Sequence, residues 1–228
     1  MAKKLILPVL VIGVLVLAYT LFLEKYYLPV SFLIILLSFL PFLLRFERRE
    51  RGAEEILLLA ILASVAAVGR VPFAALPSVQ PTTFVIMMTG IVFGGESGFI
   101  VGATAALVSN LFLGQGPYTP WQMFAWGLLG LLSGVLFRSP SSRRMPLLCL
   151  AGFVYGFLFG WIMDTWFVLA GFGGAESYLA AYAASTLFNL NHSICNVVFL
   201  LLFYQPFYRV LERVKVKYGL LSENRFYS

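Results

Sequence analysis

Long apolar runs separated by short polar segments are the feature that most constrains this chain. Hydrophobic residues occupy 61% of its 228 positions and charged residues only 11%, whereas soluble domains are close to half apolar and a quarter charged. A water-soluble core of this size could not bury so much apolar surface, so the surrounding solvent must be lipid. The runs predict eight membrane-spanning helices, at 5–23, 30–45, 55–69, 83–94, 97–113, 121–137, 146–170 and 179–207.

The positions of lysine and arginine predict the orientation of these helices. With the amino terminus in the cytoplasm, 14 of the 16 basic residues fall in cytoplasmic segments, and only Lys25 and Arg70 fall outside. Because basic residues concentrate in the cytoplasmic loops of membrane proteins, we predict a multi-pass protein with both termini cytoplasmic. The same charges suit anionic lipid, so membrane lipid is an expected partner and nucleic acid is not.

A charged linker divides the chain into two unequal parts. We predict a transmembrane hairpin at 1–46, a charged cytoplasmic linker at 47–54, a six-helix membrane domain at 55–210 and a basic cytoplasmic tail at 211–228. The hairpin contains few polar residues, so the six-helix unit carries nearly all of the polar groups at membrane depth. The predicted fold class is an all-α membrane protein, a six-helix bundle preceded by an extra two-helix hairpin.

Polar residues gather toward the predicted outer side of the six-helix unit. Pro72, Pro77 and Pro81 forbid a regular helix before the fourth span and predict an ordered or re-entrant loop. Polar groups at membrane depth are costly, so each is a functional hypothesis, and amides beside tryptophans suit a large, mostly neutral ligand. The candidate ligand-binding residues are Gln80, Thr82, Asn110, Gln115, Tyr118, Trp121, Gln122, Asp164, Asn189 and His192.

The last span carries a polar face. Ser185, Asn189, His192 and Asn196 follow one another at steps of four, three and four, which places them on one side of a helix. We predict that this side looks into the bundle and not toward lipid. The alternative is that the amides hold helices together and that the tryptophans form an interfacial belt.

Asp164 and His192 are the ionisable residues within the spans, so a proton relay or an intramembrane enzyme has to be considered. The sequence contains neither a serine elbow nor an HExxH motif, and Ser193 points about 100° away from His192 on a helix. Cys149 and Cys195 lie in apolar runs without metal-ligand spacing. We therefore expect no catalytic residues, no metal site and no cofactor of its own.

Two stretches resemble a known family. One is 69–84, and the other runs from Thr89 to Trp126 and includes Gly-Gln-Gly-Pro-Tyr-Thr-Pro-Trp-Gln-Met at 114–123. Both resemble the substrate-binding S components of energy-coupling factor (ECF) vitamin transporters, and most of all the cobalamin type. The resemblance covers about 55–207, which is the six-helix unit.

The resemblance implies a non-enzymatic subunit that captures a vitamin at the outer face of a bacterial cytoplasmic membrane. It implies cobalamin or a related corrinoid as the transported ligand and a gate at 70–82. Its implied partners are a transmembrane coupling (T) subunit and two cytoplasmic ATPases. The sequence itself has no GxxxxGK[ST] motif for hydrolysing ATP. The expected contact with the coupling subunit is made by small residues of the third span, Ala60, Ala63 and Ala67.

Three other functions remain open. The chain could be an S component for another vitamin or a nucleobase-like nutrient, and the identity of the co-purifying molecule would decide this. It could be a solitary transporter that needs no ATPase. It could also be an intramembrane enzyme that uses Asp164 and His192.

Overall fold

The computed structural model describes residues 52–172 and 177–220. Within these ranges the regular secondary structure is all helical, without strands. The predicted hairpin at 1–46 lies outside the described residues, as does the linker up to residue 51. The six α-helices are α1 (Ala53–Val68), α2 (Thr82–Phe93), α3 (Gly95–Leu113), α4 (Thr119–Leu136), α5 (Met145–Phe167) and α6 (Ser177–Lys217).

The helices agree with the six spans predicted between 55 and 207, and the all-α membrane class is confirmed. In the part of the chain that the structure describes, three segments are long and apolar enough to cross a bilayer, namely Gly95–Leu113, Met145–Gly171 and Ser177–Lys217. The last helix runs to Lys217, beyond its predicted end at 207, although Pro206 lies inside it. Burial of side chains past the proline, such as Leu211, holds this extension against the bundle.

Helix α2 is the centre of the bundle. All 12 of its residues are buried, and it packs against each of the other five helices. Its sequence, TTFVIMMTGIVF, carries no charge and is apolar all round, which is the pattern of a helix with no solvent-facing side. Pro81 precedes its first residue, and Gly94, with a φ of 91°, ends it.

Glycines allow the outer helices to approach one another closely. A side chain at Gly130 of α4 would collide with the backbone of Gly98 in α3. On α5, a side chain at Gly156 would collide with Ser193 of α6, and one at Gly160 with Asn189. Small residues at such crossings give membrane helices the van der Waals contact that holds them together.

The bundle has two chemically different ends. We call the end with segments 69–81 and 114–118 the loop end, and the opposite end the basic end. At the basic end Lys215 Nζ donates to the Val92 carbonyl at 2.7 Å, and Arg143 Nη1 donates to the Tyr208 hydroxyl at 2.8 Å. Of the basic residues in the described ranges, Arg70 alone lies at the loop end. The cytoplasmic location of the basic end remains a prediction.

Candidate ligand-binding site

A cavity of about 480 Å³ lies at the loop end, between the 69–81 loop and helices α3, α4 and α5. This volume is within the range of roughly 300–1,000 Å³ that is common for small-molecule sites. A second cavity of about 340 Å³ lies between α4 and α5, but its lining is almost wholly apolar. The first cavity is lined by Arg70, Phe73, Ala74, Leu76, Pro77, Ser78, Gln80, Leu113, Gln122 and Phe159.

The loop over the cavity is ordered by short turns. The amide of Leu76 donates to the Phe73 carbonyl at 2.8 Å, and similar bonds follow along the segment. The backbone of Gln80 is held by Cys195 of α6, whose sulfur accepts from the Gln80 amide at 3.2 Å and donates to the Gln80 carbonyl at 3.4 Å. The prediction of a proline-rich, ordered, non-helical segment is therefore confirmed.

Arg70 is the central polar residue of the cavity. Its Nε donates to Gln80 Oε1 at 3.1 Å, and its Nη1 donates to Ser109 Oγ and to Asn110 Oδ1, the latter at 2.9 Å. The guanidinium carbon lies 4.7 Å from the centre of the Trp126 ring, a cation–π distance. Burial lowers the pKa of Arg70 to about 10, which leaves the group charged at neutral pH.

A chain of side-chain hydrogen bonds continues from Arg70 along α3 and α4. Asn110 Nδ2 donates to Gln122 Oε1 at 2.8 Å and to Thr119 Oγ1 at 3.0 Å. Thr119 in turn donates to Gln115 Oε1 at 2.9 Å. Asn110 therefore connects the loop arginine to the amino-terminal turn of α4.

Below Arg70, aromatic and polar side chains form the floor of the site. Trp126 Nε1 donates to Thr83 Oγ1 at 3.0 Å, and Thr83 Oγ1 lies 2.8 Å from His192 Nε2. Phe159 stacks on Trp126 with ring centroids 4.5 Å apart and meets His192 edge-on at 5.3 Å. Because indole N–H can only donate, Thr83 accepts from Trp126, and the direction of its bond to His192 depends on the tautomer of the imidazole.

A second polar cluster joins α5 to α6 outside the cavity lining. Ser185 Oγ donates to Asp164 Oδ2 at 2.5 Å and accepts from Asn189 Nδ2 at 2.9 Å. Further along α6, Asn196 Nδ2 donates to the Gly152 carbonyl at 2.9 Å. Asn189, His192 and Asn196 are all buried, so the predicted inward orientation of this α6 face is confirmed.

The structure brings three of the ten predicted binding residues to the cavity. Gln80 and Gln122 line it, and Asn110 lies directly behind them, bonded to Arg70 and to Gln122. Asp164, Asn189 and His192 belong instead to the helix contacts and the floor described above. A role in binding a ligand remains a prediction for these six residues and for the other four.

The other four predicted residues are engaged elsewhere. Thr82 donates to the Ala66 carbonyl at 2.9 Å, which ties α2 to α1. Gln115 Nε2 donates to the Leu107 carbonyl of α3, and the Tyr118 hydroxyl donates to the Gly114 carbonyl of its own loop. Trp121 is buried in a small apolar cluster that includes Phe99 of α3 and Leu169, which follows α5. None of these four lines the cavity, because each side chain is turned toward a neighbouring helix or its own loop.

Arg70, Phe73, Pro77 and Phe159 line the cavity but were not among the predicted binding residues. Arg70 carried a usable signal, since it is the one basic residue that the orientation places in an outer segment of the six-helix unit. Phe159 carried no sequence signal of a binding role, because it lies in an apolar run among several equivalent phenylalanines.

The predicted partner surface on α1 is only partly exposed. Ala63 and Ala67 are 3% and 0% exposed, because they pack against α2 and α3. Ala60 is exposed. A contact with the coupling subunit remains a prediction for all three alanines.

The chain is similar to a described transporter family and to curated bacterial proteins. A model of the family described as ECF-type riboflavin transporter, S component, matches residues 53–211. A UPF0397 protein of Vibrio atlanticus (strain LGP32) is 26% identical over 131 residues, which cover 50% of this chain and 71% of that protein. A UPF0397 protein of Aliivibrio salmonicida (strain LFI1238) is 28% identical over 99 residues, covering 41% and 53% respectively. No solved structure matches the chain.

Proposed function

The chain belongs to the family of ECF-type riboflavin transporter S components, and on that basis we propose that it captures a vitamin for ATP-driven uptake. The family match covers α1 to α5 and most of α6, including every residue that lines the cavity. S components in general act with a transmembrane coupling subunit and a pair of ATPases. Membership of a transporter family implies a binding role for this chain and not an enzymatic one.

The observation that carries the proposal is the cavity under the proline-rich loop. One wall presents the polar groups of Arg70, Gln80 and Gln122. The remaining wall is apolar, formed by Phe73, Leu76, Pro77, Leu113 and Phe159. A flat heteroaromatic molecule with a polar edge matches this division, because its faces can lie on the apolar wall while the edge is hydrogen-bonded.

A vitamin of about the size of a flavin is the ligand that we propose first. The cavity volume of about 480 Å³ suits one fused ring system with a short side chain. The family description, which names riboflavin, supports the same choice. Cobalamin is the second candidate, because the 114–123 segment resembles that type. A corrinoid is much larger, so its binding would require the 69–81 loop to open.

The route of capture follows from the predicted orientation. With the basic end in the cytoplasm, the cavity opens at the outer face and the 69–81 loop acts as its cover. Release of the loop would break the bonds between Gln80 and Cys195 and the bond between Gln80 and Arg70. We propose that Ala60, which is exposed on α1, contributes to the coupling-subunit contact.

Titration calorimetry on the detergent-purified chain tests the proposal. The panel contains riboflavin, cobalamin, biotin and thiamine. We expect one of them to bind, and Arg70→Met to weaken that binding by about tenfold or more, because the variant loses charge-assisted hydrogen bonds at the cavity. Arg144→Met removes an exposed guanidinium at the basic end and serves as the matched control. Wild-type protein that binds none of the four would refute the proposed function.

A further inference from the structure

The guanidinium of Arg70 determines which way the neighbouring side-chain amides are turned. A guanidinium has five N–H donors and no acceptor, so every partner must offer it an oxygen. Gln80 Oε1 and Asn110 Oδ1 therefore face Arg70. Ser109 presents its oxygen as well, because its own proton is donated to the Ala106 carbonyl at 3.1 Å.

This orientation is passed on through Asn110. With Oδ1 turned toward Arg70, its amide nitrogen must face Gln122, which is therefore bound through Oε1 at 2.8 Å. The amide nitrogen of Gln122 is then turned away from the network. The same holds for Gln80, whose oxygen is occupied by Arg70. In the described ranges the side-chain amide nitrogens of Gln80 and Gln122 have no hydrogen-bond acceptor. Nη2 of Arg70 has none there either.

The polar wall of the cavity consequently presents N–H donors. Arg70, Gln80 and Gln122 all line the cavity, while the side-chain oxygens of the two glutamines are used inside the network. Ser78 is the other polar side chain in the lining, and its hydroxyl can adapt to either role. No acidic side chain lines this cavity or bonds to Arg70 among the residues that the structure covers, so one positive charge is left uncompensated.

Resting on the proposed capture of a vitamin in this cavity, we propose that the site selects ligands with an acceptor-rich edge. Suitable groups are carbonyl oxygens, ring nitrogens without hydrogen, or a single carboxylate. Ligands that present a cation or an edge of N–H donors are rejected, because they would face Arg70 and leave its donors and those of the glutamines unpaired. Arg70 and its oriented amides thus determine specificity.

Gln122→Glu tests the inference through the direction in which ligand affinity changes. The substitution keeps the shape of the side chain and the oxygen that faces Asn110, but it replaces the outward N–H₂ with an oxygen. Affinity for a ligand with an acceptor edge is expected to fall by about tenfold to a hundredfold. Gln80→Glu should act in the same direction, and the bonds of its backbone to Cys195 do not depend on the side chain. Gln205→Glu, exposed near the basic end, is the matched control and should change affinity less than twofold.

Titration calorimetry measures the affinity of each variant. Riboflavin, biotin and cobalamin are the probes that carry acceptors, and thiamine is the cationic probe. The inference predicts binding of an acceptor-bearing probe, at least a hundredfold weaker thiamine binding, and weaker acceptor binding in both cavity variants. If Gln122→Glu does not fold, as judged by its thermal melt, Gln80→Glu decides. Equal or tighter acceptor binding in the folded variants, or tight binding of thiamine, would overturn the inference but leave vitamin capture standing. Absence of binding by wild-type protein would overturn both.

Discussion

Substitution of Thr83 by valine tests the hydrogen bonds beneath the cavity. Thr83 is fully buried on α2, and its hydroxyl accepts from Trp126 Nε1 and pairs with His192 Nε2. Valine has nearly the same shape, so Thr83→Val removes the hydroxyl without creating a large cavity. It leaves two buried polar groups, one on α4 and one on α6, without their partner.

The expected cost follows from these two bonds. Hydrogen bonds between membrane helices contribute about 0.6 kcal/mol each on average and up to about 1.7, whereas orphaned buried groups in soluble proteins cost about 1–3 kcal/mol each. Thr83→Val should therefore lower the free energy of unfolding by about 2 kcal/mol, within a range of about 1–4. Reversible unfolding in mixed detergent micelles, followed by circular dichroism, measures the change.

Thr89→Val is the matched control on the same helix. Thr89 is equally buried, but its hydroxyl donates only to the Val85 carbonyl one turn earlier. That carbonyl keeps its helical N–H partner when the hydroxyl is removed, so the cost should stay below about 1 kcal/mol. If the two variants were equally stable, the interhelical hydrogen bonds of Thr83 would contribute nothing and this account of the floor would be wrong.

Three further substitutions or modifications test the packing, the loop and the partner surface. Gly130→Ala should lower the free energy of unfolding by about 1–3 kcal/mol in the same assay, because the added methyl group meets the α3 backbone. Gly152→Ala meets only the tip of Leu200 and should lower it less. Equal losses of stability would contradict the close α3–α4 crossing. In a Cys149→Ser background, the rate of maleimide labelling of Cys195 should fall at least fivefold when a bound ligand holds the 69–81 loop, and with it Gln80, against α6. An unchanged rate would show that the loop does not respond to the ligand. Ala60→Leu should leave vitamin affinity unchanged but reduce the amount of coupling subunit that co-purifies. Ala183→Leu, on α6, is the control and should not reduce it. Equal amounts with the two variants would show that Ala60 is not part of the interface.

The helices were predictable because lipid imposes simple rules on sequence. The apolar runs bounded by Pro81, Gly94 and Gly114 marked the beginnings and ends of helices to within a few residues, and the polar steps along α6 gave its buried side. The extension of α6 to Lys217 was missed because Pro206 and the following charges are typical of a helix end. Packing of Leu211 against the bundle, which no local pattern shows, overrides that signal.

The rotation of α1 could not be predicted for a related reason. Its sequence between Ile56 and Val68 is apolar or small at every position, so periodicity does not distinguish the packed side from the lipid side. Ala60, Ala63 and Ala67 share one face of the helix, since they are three and seven residues apart. The three-dimensional arrangement shows that Ala63 and Ala67 are buried against the bundle, whereas Ala60, nearer the amino terminus of α1, is exposed.

The sequence predicted at which end of the bundle the site lies but not which side chains line it. Sequence placed amides and aromatics at one end of the bundle, and Gln80, Asn110 and Gln122 do meet there. It could not show which polar groups are consumed by helix–helix bonds, as those of Thr82 and Asn189 are. Arg70 belongs to the polar outer loop by sequence, and its isolation from the other basic residues is the strongest sign of a binding role.

ATP-dependent uptake into proteoliposomes tests the central claim most directly. The chain would be reconstituted with its coupling subunit and ATPases, and uptake of radiolabelled riboflavin, and in parallel cobalamin, would be measured with ATP on the ATPase side. The account predicts accumulation of one of these vitamins that requires both ATP and this chain and that is lost with Arg70→Met but not with Arg144→Met. Accumulation that proceeds equally well without this chain, or uptake by this chain alone without the ATPases, would contradict it.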